Sequence, residues 1–242
     1  MSEAFRFKRF SVVHDRAAMK VGTDAVLLGM LAELDESSNI LDVGTGSGVI
    51  ALMLAQRNSR ARILGIDINQ EAVAQAADNF KNSPWSSRLT SLEADFAASD
   101  SEFFDSRKAS FDTIVSNPPF FPTAPLSMSS ERREARISET LTFAQLISGS
   151  SLLLRDGGTL QVIIPTPQVR EFVFTAWQHD LRLYHRIDIC TKASKPAKRS
   201  VLLFRRSSLG PVAPVVENTL VMLDSEGKPT DDYSRLTAPF YL

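Results

Sequence analysis

Short apolar segments alternate with helical segments along most of this 242-residue chain, and this alternation constrains its fold more than any other feature. We predict buried strands at 39–43, 62–68, 89–94, 111–116 and 159–164, and helices at 49–57, 70–81, 143–154 and 168–177. Strands that alternate with helices form a parallel sheet covered on both faces. The last two strands, 181–189 and 199–205, are too close for a helical crossover and should be antiparallel. The sequence therefore predicts an α/β fold with a doubly wound, mostly parallel sheet that ends in an antiparallel hairpin.

The composition is that of an ordinary globular protein, with 43% hydrophobic residues, 23% charged residues and a formal net charge of −1. A chain so close to neutrality is not coated in basic residues, although it can carry a local basic patch. The single cysteine, Cys190, excludes an intramolecular disulfide, and the three scattered histidines predict no metal site. The sequence has neither an apolar leader nor a membrane-length apolar run, so we expect a cytoplasmic protein.

Three parts are expected along the chain. Residues 1–35 are predicted to be a helical lead-in, because 25–34 has the pattern of an amphipathic or buried helix. Residues 36–206 contain all of the predicted strand and helix units and form the main domain. Residues 207–242 are rich in proline at first and then acidic, which favours an appendage over a second domain.

A glycine-rich turn, Asp42-Val-Gly44-Thr-Gly46-Ser-Gly48, joins the first of these strands to its helix. Glycine permits positive φ and a close approach of the backbone to a ligand. In a doubly wound sheet this turn lies at the carboxyl ends of the strands, where ligands bind. The spacing matches neither the nicotinamide dinucleotide pattern nor the phosphate loop of nucleotide-hydrolysing proteins. A tight turn without a ligand would need the same glycines. The glycines alone therefore do not predict a ligand site, and the residues at the ends of the next strands are needed to decide.

Acidic residues follow the next two strands. Asp67 ends the second strand, where a carboxylate can accept both ribose hydroxyls of an adenosine. Its alternative role is a helix N-cap, which Asn69 could fill instead. Asp95 follows the third strand and could accept from an adenine amino group while Phe96 covers the ring. Three successive strand ends thus carry chemistry suited to an adenosine ligand.

The segment Ser116-Asn-Pro-Pro-Phe-Phe-Pro122 follows the fourth strand at the same edge of the sheet. Two prolines fix φ and remove two backbone donors, which leaves carbonyls and the Asn117 side chain as acceptors. An exocyclic amino nitrogen is a weak nucleophile because its lone pair is delocalised, and acceptors for its two hydrogens free that lone pair. An aromatic ring beside them would stack on the planar substrate group. We therefore predict four catalytic residues: Asn117, Pro118, Pro119 and Phe120.

These motifs resemble those of the Rossmann-like methyltransferases that use S-adenosylmethionine. The glycine turn looks like their first motif, Asp67 and Asp95 match the next two acidic positions, and the resemblance spans about residues 15–205. It implies a seven-stranded sheet and S-adenosylmethionine as cofactor. The Asn-Pro-Pro-Phe segment is similar to that of amino-methyltransferases acting on adenine N6, guanine N2 or glutamine N5.

Further segments indicate one family among these methyltransferases. They are Lys20-Val-Gly-Thr-Asp24, the residues at 52–57, 79 and 83–85, and the closing residues 240–242. With them, nearly the whole chain is similar to the bacterial tRNA (adenine-N6)-methyltransferase family, which modifies the adenosine beside the anticodon of a valine tRNA. The resemblance implies tRNA as partner and places the lead-in at the cofactor pocket, where Lys20 could meet the methionine carboxylate. The cofactor-binding residues that we expect are Lys20, Thr23, Asp42, Gly44, Thr45, Gly46, Gly48, Asp67, Ile68, Asp95, Phe96 and Asn117. That family usually has Tyr at the position of Phe120, so stacking is preserved but a hydroxyl is missing.

Three alternatives compete with this function. Protein-glutamine methyltransferases usually carry a separate N-terminal helical domain, and only about 35 residues precede the first strand of the main domain here. Ribosomal guanine N2 enzymes usually carry a duplicated domain, for which this chain is too short, although Phe is common in their motif. A protein that kept the fold without catalysis would not need an intact Asn-Pro-Pro-Phe segment.

Two basic stretches are candidates for contacts with RNA phosphates. Arg132, Arg133 and Arg136 follow the Asn-Pro-Pro-Phe segment, where interleaved glutamates make helical salt bridges an equal alternative. Residues 186–206 contain seven Lys and Arg against one acidic residue, an asymmetry that favours phosphate contact over a merely solvated loop. From this second stretch we predict that Lys192, Lys195, Lys198 and Arg199 bind RNA.

Overall fold

The computed structural model describes residues 4–16, 20–34, 37–119, 141–207 and 214–241. Within these ranges the strands are β1 (Ala4–Arg6), β2 (Ser11–Val13), β3 (Asn39–Val43), β4 (Arg62–Asp67), β5 (Leu89–Glu93), β6 (Phe111–Ser116), β7 (Leu154–Pro165), β8 (Leu181–Lys192), β9 (Arg199–Arg206) and β10 (Val216–Leu223). The α-helices are α1 (Thr23–Leu31), α2 (Val49–Arg57), α3 (Gln70–Lys81), α4 (Glu102–Asp105), α5 (Phe143–Leu153), α6 (Val169–Gln178) and α7 (Asp231–Thr237).

The main sheet has eight strands in the order β10-β8-β9-β7-β6-β3-β4-β5. Strand β9 is antiparallel to both β7 and β8, and every other neighbouring pair is parallel. The predicted α/β class, the mostly parallel sheet and the antiparallel hairpin are confirmed. The sheet has eight strands and not the expected seven, because β10 adds an edge strand parallel to β8. An edge strand is paired on one side only, and the first half of β10 is exposed and carries the polar residues Glu217, Asn218 and Thr219, so it lacks the pattern of a buried strand.

Helices cover both faces of this sheet and enclose two hydrophobic clusters. One cluster is formed with α1, α2 and α3, and the other with α4, α5 and α6. Successive side chains of β9 show the alternation, since Val201 and Leu203 belong to the first cluster and Leu202 and Phe204 to the second. None of the helices in the described ranges combines the length and the apolar character needed to span a bilayer.

The lead-in, predicted to be helical, also contains a two-stranded antiparallel sheet in which Phe5 lies opposite Val12. Aromatic and basic residues alternate over 5–8, a pattern that favours a strand and that the helical prediction did not include. The ring of Phe7 stacks on that of Phe10 with centroids 4.4 Å apart, and the Lys8 N–H donates to the Phe240 carbonyl at 2.8 Å. The lead-in and the C-terminal segment therefore pack together beside α2 and α3.

Candidate functional site

A cleft of about 710 Å³ opens at the carboxyl ends of β3, β4, β5 and β6, where the sequence predicts ligand binding. The first turns of α1, α2 and α3, the start of α5 and the first residue of β9 also line it. The structure brings together most of the predicted site residues along this cleft: Lys20, Thr23, Gly44, Thr45, Gly46, Asp67, Ile68, Asp95, Phe96, Asn117, Pro118 and Pro119. Asp42 and Gly48 do not line it, and Phe120 is outside the described residues.

The glycine turn owes its shape to two different requirements. Gly46 has a φ of +54°, and a Cβ built there would meet no atom within 4 Å, so its backbone faces open space. Gly48 has a φ of +80°, but a Cβ there would lie 2.5 Å from the Phe80 ring. Gly46 therefore leaves room for a ligand, whereas Gly48 allows α2 to pack closely on α3.

The carboxylate of Asp67 is held by the backbone around it. One oxygen accepts the Gly46 N–H at 2.9 Å and the other accepts the Asn69 N–H at 3.0 Å. Asn69 is the N-cap of α3, since its side chain accepts the Ala72 N–H at 3.1 Å, so capping does not occupy Asp67. Each carboxylate oxygen retains acceptor capacity, which suits the two adjacent hydroxyls of a ribose.

Asp42 lies beneath the glycine turn and is fully buried. Its Oδ2 accepts the Thr45 hydroxyl at 2.7 Å, whereas Oδ1 has no hydrogen-bond partner among the residues that the structure describes. Burial raises the pKa of this carboxyl to about 7, and the nearby Asp67 adds to the effect, while the Thr45 hydrogen bond opposes it. The contacts of Asp42 are with the turn, so direct cofactor binding by Asp42 stays a prediction.

Phe96, predicted to cover an adenine ring, and Ile68, also predicted to bind the cofactor, differ in exposure. Phe96 is only 4% exposed and packs against Phe104, with ring centroids 5.1 Å apart. Ile68 follows Asp67 and is 61% exposed at the cleft, an unusual position for a large apolar side chain. Asp95 is also at the cleft, where its Oδ1 accepts the Ala97 N–H at 2.8 Å. Ile68 is therefore better placed than Phe96 to present apolar surface to a ligand.

Asn117 provides an acceptor that the fold leaves open. Its Oδ1 atom is buried, yet no hydrogen bond to it is made by the residues in the described ranges. The segment is anchored one residue earlier, where the Ser116 hydroxyl donates to the Val43 carbonyl at 2.9 Å. Pro118 is buried and Pro119 is exposed, and both line the cleft. Such an acceptor fits an amino group presented by a ligand.

An ion pair between α1 and β9 forms another part of the cleft wall. The Arg199 Nε donates to the Asp24 carboxylate at 2.7 Å, and both residues line the cleft. Arg199, predicted to bind RNA, is therefore held at the cleft by α1. The N-cap of α1 is Gly22, and Thr23 and Asp24 belong to its first turn.

The other predicted RNA contacts are only partly described. Lys195 and Lys198 are exposed in the loop between β8 and β9, and the Lys192 Nζ donates to the Ser225 carbonyl at 3.1 Å. Arg132, Arg133 and Arg136 lie outside the described residues. The described ranges contain no group of three or more His, Cys, Asp or Glu side chains arranged to hold a metal ion.

Sequence reasoning missed two cleft residues at the start of α5, Leu141 and Gln145. Gln145 forms a capping box with Thr142, in which its Oε1 accepts the Thr142 N–H at 2.9 Å. The Thr-x-x-Gln spacing is a sequence signal for a helix start, so this position could have been found.

Comparison with known proteins agrees with this geometry. Residues 5–177 match the family model described as the methyltransferase small domain. The chain is 37% identical over 241 residues to a tRNA1(Val) (adenine(37)-N6)-methyltransferase from Pectobacterium carotovorum, covering 99% of this chain and 94% of the relative. It is 40% identical over 239 residues to the protein of the same name from Flavobacterium psychrophilum, covering 98% and 99%.

A solved structure supports the fold alone. A predicted O-methyltransferase from Agrobacterium tumefaciens superposes with a TM-score of 0.71 at 21% identity, covering 90% of this chain and 96% of that one. The two chains therefore share the same fold over most of their length.

Proposed function

The chain belongs to the methyltransferase small domain family, and from this we propose that it methylates the exocyclic N6 of an adenosine in tRNA, with S-adenosylmethionine as the methyl donor. This is the family that the glycine turn and the Asn-Pro-Pro-Phe segment predict. The names of its relatives indicate adenosine 37 of a valine tRNA as the target. The observation that carries the proposal is the buried Oδ1 of Asn117, an acceptor at the cleft that no described residue satisfies.

The residues of the cleft fit the proposed cofactor. S-adenosylmethionine, when bound, supplies a methyl carbon made electrophilic by a sulfonium sulfur. Asp67 would accept hydrogen bonds from the ribose through the acceptor capacity that the backbone donors leave on its oxygens. Lys20 would meet the methionine carboxylate, and Gly46 leaves the space into which a ligand can approach the backbone.

Asn117 and Pro118 act on the substrate amino group. We assign one amino hydrogen to the Asn117 Oδ1 and the other to the Pro118 carbonyl. Two acceptors so placed hold the nitrogen lone pair out of conjugation with the ring, where it can react. Catalysis then rests on positioning and on acceptors whose attraction grows as positive charge develops on the nitrogen. The amino nitrogen carries a positive charge once the methyl group is bonded to it, so the proton that it then releases is acidic and no strong base is required.

Mass spectrometry of nucleosides tests this function directly. Bacterial tRNA incubated with the enzyme and a methyl-labelled cofactor should yield labelled N6-methyladenosine. Asn117→Ala should abolish the label, whereas Asn39→Ala, an exposed residue at the other end of the sheet, should retain it. Label found only on guanosine or on a protein would replace this function with one of the alternatives.

A further inference from the structure

Helix α6 has two faces of different character. Val169, Phe172 and Ala176 are buried against the sheet, whereas Phe174 and Trp177 are 63% and 60% exposed. Large aromatic side chains with this exposure on a helix call for an explanation.

Arg170, Phe174 and Trp177 follow the spacing i, i+4 and i+7, which places them on one side of α6. We refer to these three residues as the α6 stripe. Glu171, the acidic residue of this helix, is displaced by about 100° around the axis from Arg170. The exposed side of α6 thus combines two rings with a basic side chain.

A second arginine, Arg182, stacks on Trp177 at the C-terminal end of the stripe. The Arg182 guanidinium lies 5.3 Å from the centroid of the Trp177 ring and donates to the Trp177 carbonyl at 2.6 Å. It also contacts Asp180 at 3.4 Å, so part of its charge is balanced. Unpaired nucleotides bind where bases can stack on aromatic rings and arginines can approach the phosphates.

The stripe begins next to the catalytic segment. The turn before α6 is tied to the β8–β9 loop, since the Thr166 N–H donates to the Lys198 carbonyl at 3.2 Å. Ser116 at the end of β6 pairs with Val162, and three residues further along β7 Pro165 pairs with Arg199, so the ends of β6, β7 and β9 lie at one edge of the sheet within about 15 Å of one another. The ten residues of α6 extend about 15 Å from that edge. Nucleotides next to a base held at Asn117 can therefore reach the exposed face of α6.

We propose that the α6 stripe binds unpaired nucleotides flanking the target adenosine, by stacking on Phe174 and Trp177. This inference rests on the proposed function, because it requires an RNA substrate. A second copy of the chain is the competing occupant of an exposed aromatic surface. Arg170 and Arg182, together with the nearby Lys198, favour a polyanion over a second copy of the same basic surface.

Tryptophan fluorescence reports on the stripe directly. The chain has two tryptophans, and Trp85 is only 9% exposed, so subtracting the spectrum of Trp177→Phe isolates the emission of Trp177. An RNA hairpin with the sequence of the anticodon stem and loop should quench this emission, and a blunt RNA duplex of equal length should not. Undiminished Trp177 emission at saturating hairpin would overturn the proposal.

Binding measurements provide the second test. Phe174→Ala and Trp177→Ala should each raise the Kd for tRNA about tenfold, while Trp177→Phe should retain most of the affinity. Cofactor affinity should not change in any of these variants. Leu92→Ala is the matched control, because Leu92 is an exposed apolar residue on β5 at the opposite edge of the sheet and should leave the tRNA Kd unaltered.

The outcomes separate this surface from the proposed function. Formation of N6-methyladenosine with an unchanged tRNA Kd in both alanine variants would reject the surface and retain the function. Quenching of Trp177 by the hairpin without any methylation would retain the surface and reject the function. A concentration-dependent dimer in sedimentation that Trp177→Ala abolishes, with the tRNA Kd unchanged, would assign the stripe to a second copy.

Discussion

The two sides of the cleft differ in how their polar groups are satisfied. On the β4 side, both oxygens of Asp67 accept backbone N–H groups, at 2.9 and 3.0 Å. On the β6 side, the buried Oδ1 of Asn117 accepts from no residue in the described ranges. A buried acceptor without a donor costs about 1–3 kcal/mol. The β4 side is therefore formed by the fold, whereas a donor on the substrate completes the β6 side.

This difference matches the two proposed roles. A group that only binds cofactor can be rigid and already hydrogen-bonded, because its task is the same in the ground state and the transition state. A group that stabilises developing charge contributes most if its interaction strengthens during the reaction. Substitutions on the two sides of the cleft should therefore have different effects on turnover and on cofactor affinity.

Asn117→Ala should lower kcat by about 100- to 1000-fold, the usual loss when a preorganised electrostatic partner is removed. Affinity for S-adenosylhomocysteine, measured by calorimetry, should stay nearly constant. Thermal stability should not decrease, since the substitution removes a buried acceptor that has no described donor. A fall in cofactor affinity equal to the fall in activity would indicate a collapsed loop and would erase the distinction between the two sides.

Asp42→Asn tests the buried carboxyl beneath the glycine turn, whose Oδ1 has no hydrogen-bond partner among the described residues. The pKa of Asp42 is about 7 in the folded protein, against 3.8 as its ordinary value, so between these pH values the folded state holds a proton that the unfolded chain has lost. The contribution of Asp42 to the free energy of unfolding therefore falls as pH rises from about 4 to about 7, by at most about 4 kcal/mol.

Urea unfolding across this pH range measures the effect. The asparagine variant should lose this part of the pH dependence and should be relatively more stable than the parent protein at pH 8. Parallel pH profiles for the two proteins would mean that Asp42 titrates normally despite its burial.

Asp67→Ala should weaken cofactor binding by about 1–3 kcal/mol, because the ribose loses its acceptors. It should also lower the thermal midpoint, since the N–H groups of Gly46 and Asn69 lose theirs. Activity at saturating cofactor should be much less affected, in contrast to Asn117→Ala. Asp100→Ala, an exposed control, should behave like the parent protein in both assays.

Arg199 and Lys198 are neighbours that we expect to act on different ligands. Arg199→Ala and Asp24→Asn should each weaken cofactor binding slightly, with a coupling of about 1 kcal/mol in a double-mutant cycle, as for partly exposed ion pairs. Lys198→Ala should leave cofactor affinity unchanged and flatten the salt dependence of tRNA binding by about one unit of slope. If Lys198→Ala also weakens cofactor binding, the two residues belong to one surface.

Most of the fold could be predicted from the sequence because its signals are local. The strands β3, β4, β6 and β9 are short apolar runs, and the helices between the strands have their own periodicity. The edge strand β10 was not predicted because its first half is polar and exposed. The strands of the lead-in were not predicted because they are only three residues long and precede a segment with a strong helical pattern.

The site was predictable wherever a residue stands at the end of a strand. Asp67, Asp95 and Asn117 meet at one cleft because parallel strands bring their carboxyl ends to the same edge. The pairing of Asp24 with Arg199 was not predictable, because 175 residues separate them and no local pattern links the two. The burial of Phe96 and the exposure of Ile68 were not predictable either, because they depend on which side chains from other segments pack against each residue.

The class of chemistry follows from local sequence, since the glycine turn, the acidic strand ends and Asn-Pro-Pro-Phe each carry their function in adjacent residues. Which of these groups is already hydrogen-bonded, and which is left open, depends on the tertiary structure. Hydrogen-bond satisfaction and exposure depend on distant segments that meet in the folded protein, as they do for the Asn117 Oδ1 and the α6 stripe. Local residue patterns predict the candidate groups, and packing between distant segments determines which of them remain available to a ligand.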